Sequence, residues 1–359
     1  MEKIRLLVVD DSLVIRRALR EYFRADPEIE VIGVAENGLK ALEQIRSLKP
    51  DVVTLDIEMP EMDGLQTLKN LREQGSTIPI IMFSKYTSHG ATATIEALEL
   101  GATDIIAKPE AHGGKGSSCE IVRRQLSTRI RALGRRARSP RPPEHALATS
   151  PEAASNTTFR PQLPIEAVGI AISTGGPSAL IELSTALSPS LEVPVFITQH
   201  MPPMFTKFLA ERLTARGALP AFEATDGMIA RPGHIYVAPG DFHMELYRQG
   251  EDILVSLSQT PPENSCRPSA DVMFRSLAST FGPHLLSIVM TGMGQDGRRG
   301  CEVVKIAGGT VIAQDQESSL VWGMPRAIIS AGLHDAVMPL SALGHLINDC
   351  CSKSKKEPT

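Results

Sequence analysis

The sequence predicts two α/β domains, each built on a parallel β-sheet with helices on both faces. Short apolar runs alternate with amphipathic helical segments, this alternation stops in a proline-rich stretch, and it then resumes. Unbroken apolar strands between helices are typical of parallel sheets that are buried on both faces. A chain of 359 residues is long enough for two domains of ordinary size. We therefore expect two doubly wound domains joined by a linker.

The first domain is predicted over residues 1–135. Its strands are predicted at 4–9, 31–35, 51–57, 78–84 and 104–108. Helical periodicity separates these strands near 13–25, 38–48, 64–74 and 90–100, and continues near 118–133. Strands that alternate with helices in this way indicate a five-stranded, doubly wound sheet.

A linker is predicted over residues 136–163, and the second domain over 164–352. The stretch 134–164 holds six prolines and almost no apolar periodicity, which is typical of an extended linker. The second set of strands is predicted at AVGIAI, VPVFITQ, HIYVAP, DILVSL, LLSIVM and TVIAQ. Helices are predicted at 177–187, 204–216, 269–281, 297–307 and 325–331.

The composition argues against several classes of protein. A net charge of −4 and an aromatic content of 4% give no reason to expect nucleic-acid binding. No apolar run approaches the ~20 residues needed to span a bilayer, so we expect no membrane insertion. Five cysteines without CxxC spacing favour a reduced, cytoplasmic protein. Nothing in the sequence requires more than a monomer.

Acidic residues follow two strands of the first domain. Asp10 and Asp11 come after the first strand, and Asp56 ends the third. Because the carboxyl ends of parallel strands converge at one edge, these carboxylates would repel each other unless a cation joins them, and oxygen ligands favour Mg²⁺. Ser84 and Lys108 end the fourth and fifth strands and would bind phosphoryl oxygens.

This arrangement suits phosphoryl transfer onto an aspartate, with Asp56 as the acceptor. The alternative is that these acids are strand-end caps and solvated turns. The motifs VVDDS, DVVTLDIEMPEMDG, MFSKYT and IIAKP resemble the signature of response-regulator receiver domains, over about residues 1–125. That resemblance implies a flavodoxin-like (βα)5 fold.

The receiver resemblance also implies roles for particular residues. A partner histidine kinase of the CheA type phosphorylates Asp56, while Asp10, Asp11, Asp56 and the backbone carbonyl of Glu58 hold Mg²⁺. Ser84 follows the phosphoryl group and moves a nearby aromatic residue as the switch. In this sequence, Ile105 or Ile106 stands at the usual aromatic position before the final Lys-Pro pair.

In the second domain, the stretch AISTGGP places Ser173 where a buried strand meets a helix. A serine at such a turn serves as a nucleophile, a phosphate ligand or a helix cap. The stretch lacks a Walker lysine, GxGxxG spacing and the GxSxG elbow, so it does not decide among these roles.

Two other strand ends bring further groups to the same edge. His200 ends one strand before two prolines, and Asp296 lies in the glycine-rich loop that follows another. Each residue alone has a structural explanation, as a core histidine or a turn aspartate. Together with Ser173 they form the trio that nucleophilic acyl transfer needs, in which histidine takes the serine proton and aspartate orients the imidazole. Backbone N–H groups of Thr174 and near Met293 would donate to the oxyanion.

Six motifs of this domain resemble the catalytic domain of chemotaxis protein-glutamate methylesterases of the CheB type: ISTGGP, TQHMPP, YVAPGDFHMEL, RPSADVMF, TGMGQDG and VWGMPRAI. The resemblance spans about residues 165–350. It implies a triad of Ser173, His200 and Asp296, with Thr174 and Met293 at the oxyanion site. It also implies hydrolysis of glutamate γ-methyl esters, and deamidation of specific glutamines, on chemoreceptors. The catalytic domain needs no cofactor in this scheme.

The two resemblances together imply an enzyme that phosphorylation controls. The resting receiver blocks the triad, and phosphorylation of Asp56 lifts the block. The CheB-type resemblance also implies pocket-lining roles for His243 and Arg267, but a structural histidine and an ion-paired arginine are the favoured explanations, so neither belongs to the predicted catalytic set. The main alternative is a signalling module without enzymatic activity, in which the second domain binds a nucleotide or a partner.

Overall fold

A computed structural model of the chain describes residues 2–84, 93, 96–108, 117–138 and 159–351, without the side chains of 117–121. Most of the predicted linker, the tail after Cys351 and half of the helix expected at 90–100 lie outside these ranges. The domain limits of 1–135, 136–163 and 164–352 stay predictions. Within the described ranges, no helix is both long and apolar enough to cross a membrane.

The first domain is a five-stranded parallel sheet. Its strands are β1 (Ile4–Val9), β2 (Ile29–Ala35), β3 (Val52–Leu55), β4 (Ile80–Ser84) and β5 (Asp104–Ala107). They lie in the order β2-β1-β3-β4-β5, so the strand order reverses at β1. Ligands of doubly wound sheets bind outside the carboxyl ends of the strands at this reversal. Asp10 and Asp56 directly follow β1 and β3.

Four helices of this domain have described bounds: α1 (Leu13–Phe23), α2 (Gly38–Leu48), α3 (Gly64–Glu73) and α4 (Ser117–Arg138). Side-chain caps explain where the first three begin. Ser12, Asn37 and Asp63 each accept a backbone N–H from the first turn, and Asp63 forms a capping box with Gln66. Such caps satisfy donors that the helix itself leaves free.

The second domain is a seven-stranded parallel sheet with an added antiparallel hairpin. The sheet order is β14-β13-β12-β6-β7-β9-β8. Its strands are β6 (Ala167–Ile172), β7 (Val195–Gln199), β8 (Ala221–Glu223), β9 (Ile235–Val237), β12 (Leu285–Val289), β13 (Thr310–Gln314) and β14 (Ala336–Met338). The hairpin pairs β10 (His243–Gln249) with β11 (Asp252–Ser258).

The helices of this domain are α5 (Gly176–Ala186), α6 (Phe205–Arg216), α7 (Ala270–Phe281), α8 (Arg298–Ile306), α9 (Gly323–Ser330) and α10 (Leu340–Cys351). Five of the six were predicted within two residues at each end. The fold class is thus confirmed for both domains, as a five-stranded flavodoxin-like (βα)5 unit and a doubly wound parallel-sheet domain.

Some elements of the second domain differ from the sequence prediction. The stretch DILVSL belongs to the hairpin, paired with a strand of alternating polar residues, HMELYRQ, that the apolar pattern does not reveal. The edge strands β8 and β14 were missed because three residues are too few to show a period. The final helix α10 was also missed.

The first domain packs against the elements that flank the carboxyl edge of the second sheet. Arg136 of α4 donates to the backbone carbonyls of Ser319 and Leu320. Leu320 and Val321 pack against the apolar cluster between α1, α4 and the first sheet. A second contact joins Glu99 to Arg212 of α6. The receiver-like domain therefore covers part of the edge at which Ser173 lies.

Candidate active site and candidate phosphoacceptor site

The acidic residues of the first domain meet in one cluster. Carboxylate oxygens of Asp10, Asp11 and Asp56 lie within 4.8 Å of one another. Lys108 reaches the same place, with its Nζ 2.7 Å from Asp10 Oδ2 and 2.6 Å from Asp56 Oδ2. Asp56 is held by the backbone N–H of Ile57, which donates to Oδ1 at 2.8 Å. The strand ends thus assemble the predicted charged groups.

Burial dominates the electrostatics of this cluster. Asp10 and Asp56 are each only 1% exposed. Desolvation raises the pKa of Asp56 to about 6, although the Lys108 ammonium acts in the opposite direction. Desolvation also raises the pKa of Asp10. A cation would stabilise the charged form of these buried carboxylates, and a set of closely spaced oxygen ligands fits Mg²⁺.

The remaining predicted residues of the first site lie around this cluster. Ser84 is buried at the end of β4, and its carbonyl accepts the backbone N–H of Lys108 at 2.7 Å. Glu58 lies two residues beyond Asp56 and is exposed. Ile105 and Ile106 are both buried, but they pack into different apolar clusters on opposite faces of the sheet.

Ser173 lies directly after the central strand β6, at the start of a tight turn. Its backbone N–H donates to Thr291 O at 3.0 Å, and its carbonyl accepts Gln199 Nε2 at 3.0 Å. Gly175 adopts a φ of +79°, which L side chains rarely tolerate. The next residue, Gly176, has no room for a Cβ, because that atom would lie 1.9 Å from Gln199 Oε1. The two glycines therefore permit the turn that carries the serine.

His200 and Asp296 are in direct contact. His200 Nε2 lies 2.7 Å from Asp296 Oδ2, and the two side chains are 10% and 2% exposed. The backbone N–H of His200 donates to Ile172 O at 3.2 Å, which ties the histidine to the strand that precedes Ser173. Ser173 and His200 both belong to the described residues, and no hydrogen bond joins the serine hydroxyl to the imidazole. Catalytic hydrogen bonds are often long before substrate binds.

Sequence reasoning missed the groups that hold Asp296. Its Oδ1 accepts Ser269 Oγ at 2.6 Å, Asn264 Nδ2 at 2.8 Å and the backbone N–H of Asp271 at 3.2 Å. Its Oδ2 accepts the backbone N–H of Ala270 at 2.7 Å, in addition to His200. The N-terminus of α7 thus faces the carboxylate, where a helix stabilises negative charge.

These donors act on the ionisation of Asp296. Burial opposes the charged form, but the His200 imidazole, the Ser269 hydroxyl and the Ala270 N–H together hold the pKa of Asp296 well below its usual range. Ser269 could have been found as the first residue of the helix predicted at 269–281, which the structure shows to be its N-cap. Asn264 could not, because nothing in its local pattern indicates where its amide points.

Cys266 is a neighbour of the site that sequence reasoning also missed. Its Sγ lies 3.7 Å from His200 Nδ1. Burial lowers the affinity of the imidazole for a proton, but its interactions with Cys266 and Asp296 outweigh this effect and raise the pKa of His200 to about 10.

The two predicted oxyanion donors lie in neighbouring loops. Thr174 is buried, and its carbonyl accepts Thr291 Oγ1 at 2.9 Å. Met293 lies in the loop after β12, next to Gly292, at which an added Cβ would lie 2.9 Å from Ser173 Cβ. The glycine therefore lets the Met293 loop approach the serine closely.

The two residues left out of the catalytic set have structural partners. His243 is fully buried, where its Nδ1 accepts the backbone N–H of Ser269 at 3.2 Å and its Nε2 donates to Pro261 O at 3.2 Å. Arg267 forms an ion pair with Asp241 at 2.6 Å.

Comparisons with known proteins identify both domains. A family model described as response regulator receiver domain matches residues 6–113, and one described as CheB methylesterase matches residues 168–347. The crystal structure of the Thermotoga maritima CheB methylesterase catalytic domain is similar, with a TM-score of 0.51 and 37% identity over 52% of this chain and 99% of that one.

Relatives match over nearly the full length. The chain is 44% identical to the protein-glutamate methylesterase/protein-glutamine glutaminase of Trichodesmium erythraeum, over 97% of this chain and 99% of the relative. It is 46% identical to the protein of the same name from a Nocardioides species, over 96% and 94% of the two chains. The expected enzyme class is confirmed, and the chain belongs to the protein-glutamate methylesterase/protein-glutamine glutaminase family of response regulators.

Proposed function

We propose that this protein is a phosphorylation-activated serine hydrolase that removes methyl groups from glutamate γ-methyl esters on methyl-accepting chemotaxis receptors. The same site deamidates specific glutamines of these receptors. Ser173 is the nucleophile, His200 the general base and acid, and Asp296 the residue that orients the imidazole. The contact of 2.7 Å between His200 Nε2 and Asp296 Oδ2, at the sheet edge that carries Ser173, is the main support for this proposal.

The proposed reaction uses both nitrogens of His200. Asp296 occupies Nε2, so Nδ1 takes the proton of the Ser173 hydroxyl as its oxygen attacks the ester carbonyl. The N–H groups of Thr174 and Met293 donate to the oxyanion that forms. His200 then returns the proton to the departing methoxide, and methanol leaves. A water molecule repeats the sequence on the acyl-enzyme and releases the glutamate carboxylate; for a glutamine substrate the first product is ammonia.

In the receiver, Asp56 is the proposed phosphoacceptor. Asp10, Asp11, Asp56 and the carbonyl of Glu58 would hold Mg²⁺, which would neutralise charge on the phosphoryl group. Lys108, already paired with Asp56, would bind a phosphoryl oxygen, and Ser84 would bind another. A histidine kinase of the CheA type is the proposed phosphodonor.

Contacts between the domains support regulation of the esterase by the receiver. Arg136, Leu320 and Val321 join the receiver to the loop that supports Gly292, because Gly292 N–H donates to Val321 O at 2.8 Å. Phosphorylation at Asp56 would weaken this interface and expose the triad. Removal of residues 1–140 is therefore expected to raise basal hydrolysis, and unchanged activity would contradict the proposed block.

The proposed setting follows from the substrate. Chemoreceptor signalling helices are reached from the cytoplasm, so we propose a cytoplasmic protein that acts as a monomer and neither inserts into membranes nor binds nucleic acid. Its proposed partners are the receptor and the kinase.

The decisive experiment measures methanol release from methylated receptor, with and without a small-molecule phosphodonor. Wild type is expected to release methanol faster with the phosphodonor, while Asp56→Asn keeps only the basal rate. A serine-reactive phosphonate should label Ser173, and the label should disappear in Ser173→Ala and His200→Ala. If the truncated protein shows neither methanol release nor labelling, the second domain is instead a binding module.

A further inference from the structure

The two nitrogens of the His200 imidazole have different neighbours. Nε2 lies 2.7 Å from Asp296 Oδ2, and Nδ1 lies 3.7 Å from Cys266 Sγ. Proton transfer from Ser173 has to use Nδ1, because Asp296 occupies the other nitrogen. The Cys266 thiol therefore lies against the nitrogen that has to accept the proton of Ser173.

A tight turn over residues 263–266 holds the thiol in this place. Glu263 and Cys266 exchange two backbone hydrogen bonds of 3.1 and 2.8 Å. The central residues Asn264 and Ser265 have φ values of +51° and +63°, as in the type I′ turns that join paired strands. Arg275 of α7 pairs with Glu263 at 2.5 and 3.0 Å. The turn is thus anchored to the helix that faces Asp296.

The same turn supplies a second group to the site. Asn264 Nδ2 donates to Asp296 Oδ1 at 2.8 Å and to Asp271 Oδ2 at 2.7 Å. The four-residue turn therefore places an amide against Asp296 and a thiol against His200. The position of the thiol is set by these contacts and by the Asn264 carbonyl, 3.6 Å from Sγ.

We propose that Cys266 is a positioning residue of the active site: its thiol holds His200 at Nδ1 in the resting structure and has to leave that nitrogen before Ser173 is activated. The contact itself stands independently of the esterase activity, whereas its effect on turnover rests on the proposed function. Cys266 thus restrains the histidine until the turn moves or substrate displaces the thiol.

The charges around His200 predict how this restraint depends on pH. Asp296 faces the imidazole from the loop before α8, Cys266 faces it from the turn, and Asp271 of α7 lies behind Asn264. Cys266 and Asp296 together favour the protonated imidazole. Loss of the thiol removes one of these two contacts, so the imidazole becomes neutral, and able to act as a base, at lower pH.

The first test compares pH profiles of kcat/KM for methanol release by the full-length protein. In Cys266→Ala and Cys266→Ser, the acid limb of the profile is expected to shift to lower pH by one unit or more. At a pH on that limb, kcat/KM should therefore rise about tenfold. Neither alanine nor serine ionises in this range. Cys350→Ser, which removes a half-buried thiol of α10, should keep the wild-type profile. An acid limb that stays in place in both Cys266 variants would overturn the proposal.

The second test needs no esterase activity, so it separates this proposal from the function of the enzyme. Iodoacetamide alkylates a thiolate: a bond forms between Sγ and the methylene carbon, iodide leaves, and the thiol proton remains on His200. At pH 7, Cys266 of the wild type should be alkylated several-fold faster than in His200→Ala, as measured by mass spectrometry. Equal rates in the two proteins would show that the imidazole does not hold the thiol.

Discussion

Glu99 and Arg212 join the two domains through a two-point ion pair, in which Nε and Nη2 of the arginine each contact one oxygen of the carboxylate. Arg216 contacts the same carboxylate at 3.4 Å. Arg212 belongs to α6, which begins at Phe205, five residues after His200. The receiver is thus tied to the helix that follows a proposed catalytic residue.

We expect Glu99→Gln to raise basal esterase activity without a phosphodonor. The substitution keeps the size of the side chain but removes the charge that two arginines share. A charge-assisted bidentate pair contributes about 1–2 kcal/mol to the contact between the domains. Loss of this contribution would raise the population in which the receiver no longer covers the triad, and hence the rate, by about 5- to 30-fold.

Glu28→Gln is the matched control for this change. Glu28 pairs with Arg131 and Arg135, so both of its ion pairs lie within the receiver. If both variants show the same basal rate as wild type, the Glu99–Arg212 pair does not hold the resting arrangement.

Gly292→Ala should slow turnover by about 10²-fold, because displacement of catalytic groups by about 1 Å has an effect of this size. The added methyl would lie 2.3 Å from Met324 Sδ and 2.9 Å from Ser173 Cβ, so the Met293 loop or the serine has to move. Steady-state kinetics on methylated receptor measures the effect. Gly332→Ala, which strains a left-handed glycine with open space around it, controls for loss of stability, and an equal fall in kcat there would contradict this explanation.

Asp296→Asn should lower kcat by about 10³- to 10⁴-fold, because the imidazole loses the group that orients it. It should also reduce the free energy of unfolding at pH 7 by about 2–3 kcal/mol, the contribution of hydrogen bonds to a charged group.

The pH dependence of this difference has a defined sign. The pKa of Asp296 is lowered in the folded state, so its contribution to stability is fully present above its unfolded pKa of 3.8 and is lost as pH falls from that value through the lowered folded pKa. Urea unfolding of both proteins from pH 7 to pH 2 should show a steady difference in free energy above about pH 4 that narrows only at lower pH. A constant difference over this range would mean that the charge of Asp296 is not responsible.

Asp56→Asn should stabilise the receiver at neutral pH while it abolishes stimulation by the phosphodonor. Burial raises the pKa of Asp56 from 3.8 to about 6, so the protonated carboxyl stabilises the fold below pH 3.8 and this contribution is lost as pH rises through 6. The asparagine variant should therefore gain up to about 3 kcal/mol relative to wild type between pH 4 and pH 7. Thermal unfolding without Mg²⁺ at several pH values measures it, and a gain that is the same at pH 4 and pH 7 would refute the assignment.

Site residues that follow strands of the two sheets could be placed from the sequence, whereas site residues in the turn over 263–266 could not. Asp10 and Asp56 follow apolar strands of one parallel sheet, and this placement alone predicts that they converge. Ser173, His200 and Asp296 were brought to one edge by the same argument. By contrast, Asn264 and Cys266 lie in a turn outside the sheet, so no periodicity relates them to a strand end.

Local patterns in the chain are enough to predict the two parallel sheets and the edge at which each set of polar residues lies, because strand and helix periods are local and parallel strands share one direction. Which atoms meet is known only from the folded chain: Asp296 contacts His200 Nε2, Cys266 contacts Nδ1, and Glu99 contacts Arg212. Those contacts depend on the path of a four-residue turn, the orientation of α7 and the packing of one domain on the other. They are set by long-range packing and charge, which leave no period in the chain.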